Sequence, residues 1–96
     1  MKHIGNISVD AGICMIGDPC YSIQGPRSFT WEKFCDSMNR NNIDKNNYCE
    51  PFTQGEGIVV RTGWGDGSYP VYVKKTQQGR IAEVRIVFIE ESESDE

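Results

Sequence analysis

The feature that most constrains this chain is a glycine-rich aromatic stretch, Gly63-Trp64-Gly65-Asp66-Gly67-Ser68-Tyr69, placed between two runs typical of β-strands. Three glycines in five residues allow positive φ angles and a close approach of the backbone to a ligand. The run 57–62 before the stretch and the run 69–74 after it are rich in β-branched and aromatic residues. The sequence therefore predicts a hairpin with Trp64 and Asp66 at its tip, and this tip is the candidate functional surface.

Further strands are predicted on both sides of this hairpin. Residues 3–10 and 13–16 read as a first hairpin, broken by Asp10-Ala11-Gly12. Towards the C-terminus, Gln77-Gln78-Gly79 predicts a turn into a last strand over 80–89. In that strand alternate residues are apolar, which predicts one buried face made of Ala82, Val84, Ile86 and Phe88.

One helix is predicted between these groups of strands. Trp31, Phe34, Cys35 and Met38 recur at helical spacing and would share one buried face. Ser28 or Thr30 can cap the start of this helix, and the helix ends near Asn39. The polar segment 39–57 that follows is either a lid or inter-subunit arm, or an ordered surface loop with a short helical turn.

These elements predict an α+β, β-rich fold: a small antiparallel sheet, as a meander or a partly open barrel, with one packed helix at about residues 30–39. Residues 1–89 are predicted to form a single domain, and the acidic tail 90–96 to be disordered. The net charge of the chain is −4, and it becomes +1 when the five acids of the tail are set aside. A basic stripe for duplex nucleic acid is therefore not expected.

The sequence has few residues that indicate a cofactor site, a metal site or a membrane-spanning segment. The cysteines Cys14, Cys20, Cys35 and Cys49 form no Cys-x-x-Cys pair, and His3 is the only histidine, so neither zinc nor any other cofactor is predicted. The thiols are expected to be free and packed as small hydrophobes. No apolar run of 18 residues occurs, and the first residues lack the apolar core of a signal peptide. We therefore expect a cytoplasmic protein, in the host cytoplasm if a phage encodes it.

Catalysis has less support in the sequence than binding. Asp18 and Asp66 each follow a glycine and could together bind a metal or act as the acid and base of a small hydrolase, but the favoured interpretation is that each carboxylate caps its own turn. The glycine-rich stretch joins two strands and lacks the lysine of a P-loop, which does not favour nucleotide hydrolysis of that type.

A ligand-binding site is predicted from rings, cations and glycine N–H groups near the tip. Stacking faces, phosphate-neutralising cations and an anion-binding backbone would come from Trp64, Gly65, Asp66, Gly67, Tyr69, Tyr21, Arg61 and Lys74. Tyr72 adds a further ring, and Lys75 and Arg85 add further cations on the adjoining strands. The alternative is that Trp64 and Tyr69 fold back over the hairpin as core residues.

Two segments together resemble a known family. Gly17-Asp18-Pro19-Cys20-Tyr21 and the hairpin Gly63–Tyr72, with the closing strand Gly79–Ile86, are similar to a family of small bacterial and phage proteins that carry Asp-Pro-Cys-Tyr and Gly-x-Gly-Asp-Gly-x-Tyr-Pro-Val-Tyr motifs. That family is largely without assigned function, so the resemblance implies a β-rich fold and no reaction. In general character the chain also resembles phage sponges that sequester cyclic dinucleotides of host immunity (anti-CBASS proteins).

The leading hypothesis is accordingly a non-enzymatic, homo-oligomeric protein that sequesters a small nucleotide-like ligand, such as a cyclic dinucleotide. The first alternative is an interaction module that inhibits a host protein through the aromatic tip and the long loop. The second alternative is the small hydrolase built on Asp18 and Asp66.

Overall fold

The computed structural model describes residues 1–22, 30–52, 55 and 57–90. The chain divides into two compact units: unit 1 consists of residues 1–12 and 62–96, and unit 2 of residues 13–61. The elements, in chain order, are β1 (Lys2–Val9), β2 (Ile13–Gly17), α1 (Pro19–Ser22), α2 (Trp31–Arg40), α3 (Ile43–Asn46), β3 (Tyr48–Cys49), β4 (Gly57–Arg61), β5 (Gly67–Lys75) and β6 (Ile81–Ile86). The prediction of a single domain over 1–89 stays a prediction.

Unit 2 contains an antiparallel sheet in the order β2-β4-β3. Val59, in the central strand β4, is completely buried. Around it lies a cluster of buried side chains from α2, α3 and β3, namely Phe34, Met38, Ile43 and Cys49. A helix of ten residues has little stability in isolation, so this shared apolar burial is what holds α2 in place.

Helix α2 begins where the sequence predicts. Thr30 is its N-cap, and its side-chain oxygen accepts a hydrogen bond from the Lys33 N–H at 3.2 Å. Phe34 and Met38 are buried as predicted. Trp31 is 60% exposed, because it is the first helical residue and its ring packs outside that of Phe34, with ring centroids 5.7 Å apart. The prediction that Trp31 belongs to the core is therefore wrong.

The segment after α2 contains regular structure. α3 and β3 occupy part of it, with Ile43 and Cys49 buried, which agrees with the alternative of an ordered segment with a short helical turn. Ser28, the other predicted cap of α2, lies outside the described residues. The acidic tail lies outside them from residue 91 onwards.

Unit 1 contains a second antiparallel sheet, in the order β1-β5-β6. Val9, Tyr69 and Val73 are its buried apolar residues. β5 and β6 form the hairpin that the sequence predicts, with the Thr76 N–H donating to the Arg80 carbonyl at 2.8 Å and Gly79 at φ +85°. A residue with a Cβ would be strained at that φ, so glycine suits this turn.

Two of the predicted hairpins are wrong. β1 pairs with β5 instead of β2, and β4 pairs with β2 and β3 instead of β5. The turns 10–12 and 62–66 each lead the chain from one sheet into the other, so strands that are adjacent in sequence belong to different sheets. The α+β, strand-rich class is confirmed, but the described strands form two three-stranded antiparallel sheets and neither a single meander nor a closed barrel.

The exposure of the side chains in β6 differs from the prediction. Residues Ile81–Arg85 are all exposed, with Val84 62% exposed, and Ile86 is half-buried. The predicted burial of Ala82 and Val84 is therefore wrong for the single chain.

Of the helices that the structure describes, α2 is the longest at ten residues, too short to cross a bilayer.

Candidate functional site

The glycine-rich tip, residues 62–67, is held by hydrogen bonds that converge on one carbonyl. The Gly65 carbonyl accepts from the Tyr69 hydroxyl at 2.6 Å and from the Thr62 hydroxyl. The Gly65 N–H donates to the Thr62 carbonyl at 3.1 Å, and the Thr62 N–H donates to the Gly12 carbonyl at 3.0 Å. Gly65 has φ +83°, a conformation that glycine adopts without strain. The backbone of the tip is thus fixed from inside the unit.

The two aromatic residues of the tip lie in opposite environments. The Tyr69 side chain is buried, with its ring packed edge-on against Phe88 at 5.3 Å between centroids. Trp64 is 72% exposed. Of the two interpretations left open by the sequence, the core interpretation describes Tyr69, while Trp64 projects into solvent. Tyr69 supports the tip, and only Trp64 presents a ring to a binding partner.

The polar groups of the tip are partly engaged. Because the Gly65 N–H already donates to Thr62, it is not available to hold an anion. Gly67 begins β5, where it lies opposite Val9 in the β1–β5 ladder. Asp66 is exposed, and its Oδ1 lies 3.9 Å from the position that a Cβ on Gly12 would occupy. The carboxylate of Asp66 therefore remains open to solvent beside the tip.

The predicted cations do not gather at the tip. Arg61 belongs to unit 2, where it forms an ion pair with Asp44. Lys74 lies five residues beyond Tyr69 along β5, about 16 Å at the rise of a strand, and its ammonium is 4.0 Å from Glu83. Tyr21 lies in unit 2 and is 43% exposed. The ligand-binding role of these residues stays a prediction.

Unit 1 contains a concavity of about 450 Å³ that the sequence analysis did not identify. We call it the unit 1 concavity, and its lining residues are Met1, Tyr72, Arg85, Val87, Ile89 and Glu90. Tyr72 lies opposite His3 on one side and opposite Arg85 on the other, so these three side chains rise from the same face of the sheet. The rings of His3 and Tyr72 are 5.5 Å apart between centroids.

Among the described residues, the charged side chains of the unit 1 concavity are those of Arg85 and Glu90. Arg85 is exposed, and the ion pairs among the described residues join other partners, Arg61 to Asp44 and Lys74 to Glu83. Glu90 lies on the same concavity, in the segment that follows β6. The guanidinium of Arg85 beside the ring of Tyr72 is therefore suited to a planar or anionic group.

The unit 1 concavity and the tip are connected through Ile89. The Ile89 side chain occupies the space that a Cβ on Gly63 would need, and Ile89 also lines the concavity. Gly63 immediately precedes Trp64 in the chain. Ile89 therefore lies both at the concavity and against the residue that precedes Trp64.

Of the two carboxylates considered for catalysis, Asp18 has a structural contact. The Asp18 Oδ1 accepts a hydrogen bond from the Cys20 N–H at 2.8 Å, as the turn-capping interpretation predicts. Asp18 lies in unit 2 and Asp66 in unit 1. In the part of the chain that the structure describes, no three His, Cys, Asp or Glu side chains are grouped as metal ligands would be.

The thiols of unit 2 differ in exposure. Cys14 and Cys49 are buried, and this burial raises the pKa of both thiols above the ordinary value of 9.0. Cys20 is exposed and Cys35 is half-buried. All four are free, in keeping with the predicted reduced thiols, and the two buried ones pack as small apolar groups.

The fold and this surface define a small strand-rich α+β protein whose candidate site is a ring-and-cation surface. The family model described as "Protein of unknown function (DUF4241)" matches residues 4–86, and the chain belongs to this family. The predicted membership of a family without assigned function is thereby confirmed. No curated protein and no solved structure matches the chain.

Proposed function

We propose that this protein is a non-enzymatic binding protein that sequesters a small nucleotide-like ligand in the unit 1 concavity. The observation that supports this most strongly is the side-by-side placement of Tyr72 and Arg85 on one face of the sheet, at a concavity of about 450 Å³. Small-molecule sites typically have volumes of this order. The ring of Tyr72 can stack on a base, and Arg85 can hold a phosphate through two parallel hydrogen bonds.

The more specific form of the proposal is a phage-encoded sponge for cyclic dinucleotides of bacterial immunity, an anti-CBASS protein. It would act as a homo-oligomer in the cytoplasm, that of the host cell if a phage encodes it. A sponge needs binding groups and no reacting groups, and rings with a cation are what this surface presents. Trp64, exposed next to Gly63 in the same unit, offers a second ring to a ligand.

Titration of the purified protein with a panel of cyclic and linear nucleotides and inorganic phosphate, followed by native mass spectrometry, tests this proposal. We expect one intact nucleotide mass to be gained in fixed stoichiometry, with no product formed. Arg85→Gln should weaken binding by about 10- to 150-fold, because a hydrogen bond to a charged group contributes about 1.5–3 kcal/mol. Arg80→Gln is the matched control, since Arg80 is exposed and does not line the concavity.

Two results would contradict the proposal. One is an unliganded spectrum across the whole panel. The other is equal loss of affinity in Arg85→Gln and in the Arg80→Gln control, which would place the ligand away from the concavity. Appearance of a hydrolysed product would favour an enzyme instead.

A protein partner is the second candidate function, and one observation favours it. Trp64 projects from a tip whose backbone is fixed by hydrogen bonds, so it can enter a pocket of a partner with little loss of conformational entropy. Exposed tryptophans of this kind are frequent hot spots. If a host protein is the partner, Trp64→Ala should weaken that complex by about 30-fold or more, which corresponds to the usual hot-spot threshold of about 2 kcal/mol. The same variant should weaken nucleotide binding less than Arg85→Gln does.

A further inference from the structure

We propose that two copies of this chain associate through their β6 strands, which pair antiparallel about a two-fold axis at Val84. This inference rests on the proposed function in that it specifies the oligomer which that function includes. The strand pairing itself needs no ligand, and Arg85 lies both in the seam and at the unit 1 concavity. The pairing joins two three-stranded sheets into one continuous sheet of six strands.

The first observation is that β6 lies at an edge of its sheet. In the order β1-β5-β6, the side of β6 that faces away from β5 has no strand paired to it in the described part of the chain. The N–H and C=O groups of such an edge are available to a further strand.

The second observation is the mismatch between the pattern of β6 and its exposure. The alternation along this strand is typical of a sheet with one buried side, yet Ala82 is exposed and Val84 is 62% exposed. A second copy paired at this edge places the Val84 of the partner subunit directly beside Val84. The apolar side chains are then partly withdrawn from water by each other.

The third observation is the charge pattern, which selects the register. With Val84 opposite the partner subunit's Val84, Glu83 faces the partner subunit's Arg85, and Arg85 faces the partner subunit's Glu83. Two cross-strand ion pairs form by symmetry, on the face opposite to the valines. These three residues lie in the regular stretch of β6, residues 83–86, which ends at the register shift where Ala82 has no partner on β5.

Neighbouring symmetric registers are disfavoured by the same charges. A two-fold axis at Glu83 places two carboxylates directly opposite each other, and an axis at Arg85 does the same with two guanidinium groups. Like charges opposite each other destabilise a strand pair. Of the registers with the two-fold axis at Glu83, Val84 or Arg85, only the one at Val84 places Glu83 opposite Arg85 in both cross-strand pairs.

The experiment measures the molar mass of the ligand-free protein by light scattering over a concentration series. A seam of one strand pair is small, so the dimer is expected in roughly the hundred-micromolar range. The mass should rise from the 10.9 kDa of one chain towards twice that value. Glu83→Arg and Arg85→Glu should each weaken dimerisation by about tenfold or more, since each places two like-charged pairs across the seam. The double exchange of both residues should restore dimerisation.

Cross-linking tests the register independently of the charges. Oxidation of Val84→Cys should give a covalent dimer linked between the two new cysteines, because directly opposite residues of antiparallel strands lie within disulfide range. Peptide mapping distinguishes this link from links through the exposed Cys20. Lys2→Cys, on the opposite edge of the sheet, is the control and should not cross-link in this way. Circular dichroism of each variant confirms that it is folded.

Several results would overturn the inference: a monomer at every concentration, a dimer insensitive to both charge reversals, or a double exchange as weak as the single variants. Failure of the proposed function is distinguishable from these. A charge-sensitive dimer that binds no nucleotide would support the β6 interface and contradict the proposed function. A monomer that binds nucleotide would contradict the β6 interface and support nucleotide binding. Glu83→Arg is the better variant for this comparison, because Glu83 does not line the concavity and Arg85 does.

Discussion

Replacing Tyr69 by phenylalanine removes one hydroxyl group from the interior of unit 1 and leaves the ring in place. The lost interaction is the 2.6 Å hydrogen bond to the Gly65 carbonyl, made by a side chain that is 5% exposed. The Gly65 carbonyl keeps its bond from the Thr62 hydroxyl, so no buried acceptor is left unpaired. The expected loss is therefore that of one ordinary hydrogen bond, about 1 kcal/mol of the free energy of unfolding.

Urea unfolding followed by fluorescence measures this loss. The chain has two tryptophans, Trp31 in unit 2 and Trp64 in unit 1, so a Trp31→Phe background leaves Trp64 as the only reporter. In that background Tyr69→Phe should lower the unfolding free energy by about 1 kcal/mol. For a domain of 60–100 residues this corresponds to a fall of about 4–8 °C in Tm. The slope of the transition with urea should not change.

The control is Tyr48→Phe, which removes a hydroxyl from a side chain that is 60% exposed. It should change stability by less than about 0.5 kcal/mol, as surface substitutions do. If Tyr69→Phe is as stable as this control, the hydroxyl does not hold the tip and the account of a fixed tip is refuted. If it loses about 3 kcal/mol or more, the ring itself has been displaced, since losses of that size accompany removal of a whole aromatic side chain.

Three further predictions follow from local contacts. Thr30→Ala should lower the unfolding free energy by about 1 kcal/mol, measured by urea unfolding, because it removes the N-cap of α2. Trp64→Ala should change the same quantity by less than about 0.5 kcal/mol, since the side chain is mostly exposed. Cys20 should be alkylated by iodoacetamide well before Cys14 and Cys49 in peptide mapping of the native protein. Because burial raises the pKa of Cys14 and Cys49, the folded state holds their protons more tightly than the unfolded state does. Their contribution to stability should be complete below pH 9.0 and should decline as the pH rises above it, seen as a lower urea midpoint. A midpoint that stays constant or rises would contradict this sign.

Local patterns predicted the elements whose determinants are local. The position of α2 follows from the spacing of Phe34 and Met38 and from the Thr30 cap, and the β5–β6 turn follows from Gly79. The burial of Trp31 was mispredicted because helical periodicity identifies the apolar face of α2. It does not identify the first residue of that face that contacts the core. For these elements the sequence carries nearly all the information.

Strand pairing was not predictable from the same patterns. β1 and β2 are separated by a short turn typical of hairpins, and the partner of β1 nevertheless lies some sixty residues later. The turn residues determine that the chain reverses, and they do not determine which edge the strand then joins. The unit 1 concavity was missed for this reason, since His3, Tyr72 and Arg85 become neighbours only through the β1–β5 and β5–β6 registers.

The candidate site was predicted in part. The glycines and Trp64 indicated an exposed aromatic tip, and the structure has one. Arg61 was assigned to the same site because it is close in sequence, but it ends the last strand of unit 2 and pairs with Asp44. Proximity in sequence was thus a poor guide to proximity in space at the boundary between the two units.

The same boundary has a consequence for how the chain folds. Unit 2 is inserted into unit 1 as a continuous segment, and its first and last residues, Ile13 and Arg61, face each other in the β2–β4 ladder. Outside this pair, the Thr62 N–H donates to the Gly12 carbonyl, which joins the two halves of unit 1. Closing a flexible loop of about fifty residues has an entropic cost of about 3.5 kcal/mol. Once unit 2 has folded, residues 12 and 62 are already adjacent. The two segments of unit 1 can then pair without a further entropic cost for closing the loop between them.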